Sequence, residues 1–176
     1  MFMKYAKRFL PILLAFFCLT GCGKLDYKSG AKALEKGKYE KAVEKFEKAI
    51  EEEESVADCY RGIGIAKFQL TDYEGALSAF EEAVSEGAKE TATLYDMMGA
   101  AAMELEQYEA AAGYYEKAVT YDDATDEMMQ EMLYNIVVCY EQVQDVEAAK
   151  AAIAAYTERY PDDEEAAREA VFLETR

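Results

Sequence analysis

The 176-residue chain has no histidine and no tryptophan, only two prolines and ten glycines. Without histidine there is no His-assisted serine or cysteine nucleophile and no His-ligated metal. The four cysteines, Cys18, Cys22, Cys59 and Cys139, form no CxxC pair, which excludes the usual redox and zinc motifs and any disulfide framework. Basic residues are also few, 19 against 36 acidic ones, for a formal net charge of −17. Nucleic acid is a poor partner for such a chain, because a polyanion meets repulsion and releases no counterions. With 52% hydrophobic residues, the sequence is not an acidic disordered tail. Scarce proline and glycine with abundant Ala, Glu, Lys, Leu and Met favour helix.

The start of the chain reads as an address. Residues 1–8 carry Lys4, Lys7 and Arg8 and no acid, and an apolar run over 9–19 follows, broken by Pro11. An eleven-residue run is too short to cross the roughly 30 Å hydrocarbon layer as a helix. The pattern is that of a secretory signal. Its ending, Leu19-Thr20-Gly21-Cys22, resembles the bacterial lipobox. The resemblance implies cleavage after Gly21 and a diacylglycerol thioether-linked to Cys22, with Cys18 discarded. Two acyl chains hold stably where one is marginal. An ordinary secreted protein with a chance cysteine is the alternative. The implied division is a cleaved signal peptide over 1–21, then a lipidated cysteine and short tether over 22–25. The protein is then expected at the extracytoplasmic face of a bacterial cell membrane, touching lipid through its anchor alone. Removing Lys4, Lys7 and Arg8 from the 19 basic residues leaves 16 against 36 acids. A polybasic stretch that would pull the body onto anionic lipid is therefore missing, so the body is expected to stand off the bilayer, but not far.

The remainder repeats itself. Ala42, Ala76, Ala111 and Ala149 fall 34, 35 and 38 residues apart. The same steps join Phe46, Phe80, Tyr115 and Ile153, and Tyr39, Tyr73, Tyr108 and Val146. They join Ala49, Ala83, Ala118 and Tyr156, and upstream Gly30, Gly64, Gly99 and Val137. These columns resemble the tetratricopeptide repeat, a helix–turn–helix unit of about 34 residues. The match reads Tyr60-x-x-Ile63-Gly64 with Tyr73, Ala76, Phe80 and Ala83, and Tyr95-x-x-Met98-Gly99 with Tyr108, Ala111, Tyr115 and Ala118. The resemblance implies an all-α, right-handed superhelical solenoid over 26–163, with about four repeats near 23–56, 57–90, 92–125 and 130–163. Small residues at the crossing are expected to let the two helices of a pair approach closely, and Phe46, Phe80 and Tyr115 to fill the space between successive pairs. A helix over 164–176, capped by Asp162, is expected to cover the last repeat. The excess before repeat four reads as a longer loop, with Thr125 or Asp126 capping the next helix. Its acids lack the spacing and turn glycine of a calcium loop. Glu51 to Glu54 reads as a solvated helix end.

The resemblance further implies a ligand groove on the exposed side of each first helix. Carried onto this chain, it is lined by Tyr27 and Leu34, then Arg61, Ile65 and Phe68, then Asp96 and Met103, then Tyr134 and Val138. Asp58, Glu131 and Glu141 occupy further groove positions. Tyr27, Phe68, Met103 and Tyr134 also stand at core spacing, so packing is open for each. Arg61 has a purely structural alternative in pairing with Asp58 or Asp96. The lysine–arginine–asparagine cluster with which chaperone-binding members hold a carboxylate is represented only by Arg61 and Asn135, two repeats apart. Cys59 and Cys139 read as buried inert thiols. The expected function is a non-catalytic scaffold binding a protein or peptide, with no metal and no cofactor beyond the diacylglycerol on Cys22. An envelope-assembly or cell-wall accessory lipoprotein is one alternative. A hydrolase using paired carboxylates is another.

Overall fold

The computed structural model describes residues 25–176; the signal segment, Cys22 and the tether before Leu25 lie outside the described residues. Among the described residues the chain forms nine helices and no strand. They pair as antiparallel hairpins: α1 (Leu25–Glu35) with α2 (Tyr39–Glu51), and α3 (Val56–Gln69) with α4 (Tyr73–Ser85). The third pair is α5 (Ala92–Glu104) with α6 (Tyr108–Ala118), and the fourth α7 (Asp126–Gln142) with α8 (Val146–Arg159). α9 (Glu164–Glu174) packs on α8. Each hairpin also packs its second helix on the first helix of the next.

The turn inside each hairpin is the same backbone device four times. Gly37, Thr71, Glu106 and Gln144 adopt positive φ of 65°, 62°, 57° and 60°. The next N–H, of Lys38, Asp72, Gln107 and Asp145, donates five residues back, to Ala33, Lys67, Ala102 and Tyr140 carbonyls at 2.9 Å. This is the Schellman closure, which satisfies carbonyls left open at a helix end. Asp72 and Asp145 then accept from the N–H three residues on, at 3.0 Å, and start α4 and α8. Only Gly37 meets the left-handed conformation without a steric cost.

Stacking rests on rings laid against glycines. A Cβ on Gly30 would stand 2.7 Å from the Phe46 ring, and one on Gly62, in the next hairpin, 2.5 Å from the same ring. Gly64 meets Phe80 at 2.5 Å and Gly99 meets Tyr115 at 2.8 Å in the same way. The three rings are at most 2% exposed. In the fourth hairpin the volumes swap sides: Val137 replaces the glycine, Ile153 replaces the ring, and both are buried in one cluster with Tyr156, Ala166 and Leu173. A volume-conserving exchange of this kind keeps packing density without a glycine.

Local details depart from expectation in two places. Asp163, not Asp162, caps α9, accepting from the Glu165 and Ala166 N–H groups at 3.0 Å. One residue of coil after Pro161 places the carboxylate at the helix entry. Glu54 is 5% exposed rather than solvated, because the chain reverses there through Glu53 at φ 55°. The longer loop before α7 is capped by Thr125, whose Oγ1 accepts from Met128 N–H at 3.2 Å. It also returns Asp123 to the start of α5, where its Oδ1 accepts from Ala92 N–H at 2.9 Å.

Gly64→Ala is therefore expected to cost about 2 kcal/mol by overpacking. Thr71→Gly is expected to gain about 1 kcal/mol by relieving a β-branched residue in the left-handed region. Urea denaturation of both variants measures these opposite signs.

Candidate partner-binding groove

The first helices of the first three hairpins form a continuous wall, since α1 packs directly on α3 and α3 on α5; α7 joins the stack chiefly through α6. The residues expected to line it divide into two groups. Tyr27 and Phe68 belong to the core, at 6% and 7% exposed. Tyr27 lies 6.0 Å from the Phe46 ring centroid, and Phe68 meets the Tyr73 ring edge-on at 5.3 Å. Leu34, Ile65, Met103, Tyr134 and Val138 are half-buried, each showing part of its side chain to solvent. Tyr134 is braced edge-on by Tyr156 at 5.5 Å, and Met103 Sδ accepts from the Tyr115 hydroxyl at 3.5 Å.

Charge is distributed unevenly along this wall. Arg61 Nη2 donates to Asp58 Oδ1 at 2.7 Å, one helical turn away, so its charge is neutralised within α3. Asp96, on α5, has no ion pair among the described residues. Burial pushes its carboxyl up to about 7, and the nearby Glu131 charge from α7 adds to the effect. Glu131 is itself raised by partial burial. The Tyr115 hydroxyl is raised well above its ordinary range by burial and then by Asp96, with Asn135 within hydrogen-bond reach. Asn135 therefore serves the Tyr115 hydroxyl, and Arg61 serves Asp58; the two are not gathered into a carboxylate clamp. At the far end, Glu141 is pushed up to about 7 by burial and by a shared hydrogen bond with Glu169 of α9. Beside it lies a cleft of about 520 Å³ between α7, α8 and α9, walled by Glu141, Val146, Phe172 and Arg176.

Sequence reasoning missed one polar cluster outside the groove. Glu90, in the α4–α5 loop, accepts from the Tyr95 and Tyr121 hydroxyls at 2.7 and 2.8 Å and pairs with Lys117 at 2.7 Å. Lys117 and the two hydroxyls hold its carboxyl down to about 2. The three partners come from one repeat, and only the 31-residue return of Tyr121 to Glu90 brings them together. The buried thiols Cys59 and Cys139 are both pushed up to about 12, chiefly by burial. At neutral pH both stay protonated. No described helix is long and apolar enough to cross a membrane.

The tetratricopeptide repeat profile matches residues 27–91 and 97–170. The chain belongs to the tetratricopeptide repeat family. Members of the family generally act as protein-interaction scaffolds rather than as catalysts. Among solved structures, YrrB, described as a tetratricopeptide repeat protein with an unusual peptide-binding site, is similar at 26% identity and a TM-score of 0.69. That match covers 84% of this chain and 74% of YrrB. MamA from Desulfovibrio magneticus RS-1 is similar in fold at 18% identity and a TM-score of 0.67, over 86% of this chain and 82% of MamA. No curated protein matches the chain.

Within this tetratricopeptide array, Asp96 costs stability whenever it is ionised. Its carboxyl titrates higher in the folded chain than at its ordinary 3.8, so the folded state binds the proton more tightly. The associated stability is present below pH 4 and is lost as pH rises through about 7. Asp96→Asn is expected to be more stable than wild type by about 2 kcal/mol at pH 8. That advantage should vanish below pH 4, which thermal melts across pH will measure.

Proposed function

We propose that this protein is a membrane-anchored, non-catalytic scaffold that grips a peptide or partner helix along its first helices. The single observation that carries this reading is the half-buried carboxylate of Asp96, which has no ion pair among the described residues. It stands among half-buried apolar side chains, near Glu131, with Arg61, the cation among the expected groove residues, already engaged by Asp58. An ionisable group kept in such a place at a cost in stability supports a site kept for binding. A partner carrying a lysine or arginine between apolar residues would relieve that cost and cover Ile65, Met103 and Val138 at once. The peptide-binding description of YrrB supports a peptide as the ligand class. The anchor is read from Leu19-Thr20-Gly21-Cys22 and its position after a basic and then an apolar segment. A bacterial cell, extracytoplasmic exposure and acylation at Cys22 follow from that reading.

Two measurements test the two halves. Titration with a set of otherwise identical peptides, carrying lysine, glutamine or glutamate at the centre, should rank lysine first. Asp96→Asn with Glu131→Gln should weaken the lysine peptide about tenfold and leave the glutamine peptide unchanged. Indifference to the central residue removes the groove reading. Separately, a clickable fatty acid should label wild type and not Cys22→Ala; equal labelling removes the anchor.

A further inference from the structure

The basic residues are segregated. Residues 25–51 hold seven lysines and six acids, whereas residues 52–176 hold eight basic residues and thirty acids. The downstream cations are mostly neutralised: six of the eight sit in ion pairs, as Arg61 does on Asp58 and Arg159 on Asp126. In the first hairpin only Lys45 and Lys48 are paired, both with Asp26, at 3.3 and 3.1 Å. Lys28, Lys32, Lys36, Lys38 and Lys41 are exposed and make no ion pair among the described residues. Lys28 and Lys32 stand one turn apart on α1, Lys36 and Lys38 flank Gly37 in the turn, and Lys41 lies in the first turn of α2. On α2, Lys41 shares the edge of Lys45 and Lys48, which is the edge away from α3. Lys45 and Lys48 of α2 lean onto α1, while Tyr39 on the opposite edge of α2 reaches Gln69 of α3 at 3.4 Å.

We propose that this lysine face docks on the anionic headgroups of the bilayer that holds the Cys22 anchor, a step that rests on the anchor reading above. Two residues, Gly23 and Lys24, separate Cys22 from Leu25, three steps of chain with a reach of about 10 Å. The first hairpin is thus held within about one Debye length of the headgroups, where lysines are attracted and the acidic repeats are repelled. Attraction at one end and repulsion along the rest stand the solenoid on its first hairpin and turn the groove outward.

The test uses the full acylated chain on vesicles of neutral phosphatidylcholine, with or without one third anionic phosphatidylglycerol. Brief acetylation of amines is read residue by residue by mass spectrometry. On anionic vesicles, acetylation of Lys28, Lys32 and Lys41 should fall about fivefold relative to neutral vesicles. It should recover at 1 M salt. Lys89, exposed and unpaired in the α4–α5 loop, should not change. Equal acetylation on both vesicles overturns the proposal. Protection by an acidic polypeptide on neutral vesicles, without protection by anionic lipid, also overturns it in favour of a protein partner. A triple variant, Lys28→Glu, Lys32→Glu and Lys41→Glu, should still sediment with both vesicles but lose the lipid-dependent protection of Lys36 and Lys38. Failure of the wild-type chain to sediment with neutral vesicles is a different result: it removes the anchor, and this docking with it.

Discussion

An aromatic ring can lie flat against a helix only where no Cβ stands in its way. Phe46, Phe80 and Tyr115 each need such a place, and Gly30, Gly62, Gly64 and Gly99 supply it. A lone hairpin of two short helices cannot bury enough apolar surface to be stable. The ring of Phe46 touches the glycine of its own hairpin and that of the next, so it fixes both the spacing within a repeat and the step between repeats. Once the step is fixed, α1, α3 and α5 meet along one wall.

On this frame, charge is used in two different ways. Glu90, Lys117, Tyr95 and Tyr121 form a satisfied cluster that lowers the glutamate and ties a loop to its repeat. Asp96 and Glu131 form the opposite arrangement, in which burial raises both carboxyls. The first arrangement stabilises the fold; the second leaves an unmet demand for a cation. Five of the first hairpin's seven lysines are unmet in the other sense, exposed and without an ion pair among the described residues, on a chain that has an excess of acids. Both demands point outward, one along the wall and one at the free end.

Much of the fold was legible in the sequence because steric columns leave a mark at fixed spacing. Glycine in one helix and an aromatic residue in the other recur with steps of 34 and 35 residues. What escaped was conformational rather than compositional. Thr71, Glu106 and Gln144 take the same left-handed turn as Gly37, and nothing in those residue types announces it. Which half-apolar residues of the wall face solvent also depended on the packing of neighbours: Tyr27 and Phe68 turn inward, whereas Ile65 and Val138 stay partly open. Glu54 looked like one of four solvated acids, and a one-residue chain reversal buries it. The five lysines without ion pairs lie close in the linear sequence, and the α1–α2 hairpin with its turn gathers them at one end of the array.

The central claim is that rings received by glycines couple one repeat to the next. A double-mutant cycle between Phe46 and Gly62, read by urea denaturation, tests it most directly. Gly62→Ala should be costly in the wild-type background and nearly free beside Phe46→Leu, leaving a coupling of about 1–2 kcal/mol. Equal costs of Gly62→Ala in both backgrounds would contradict the claim.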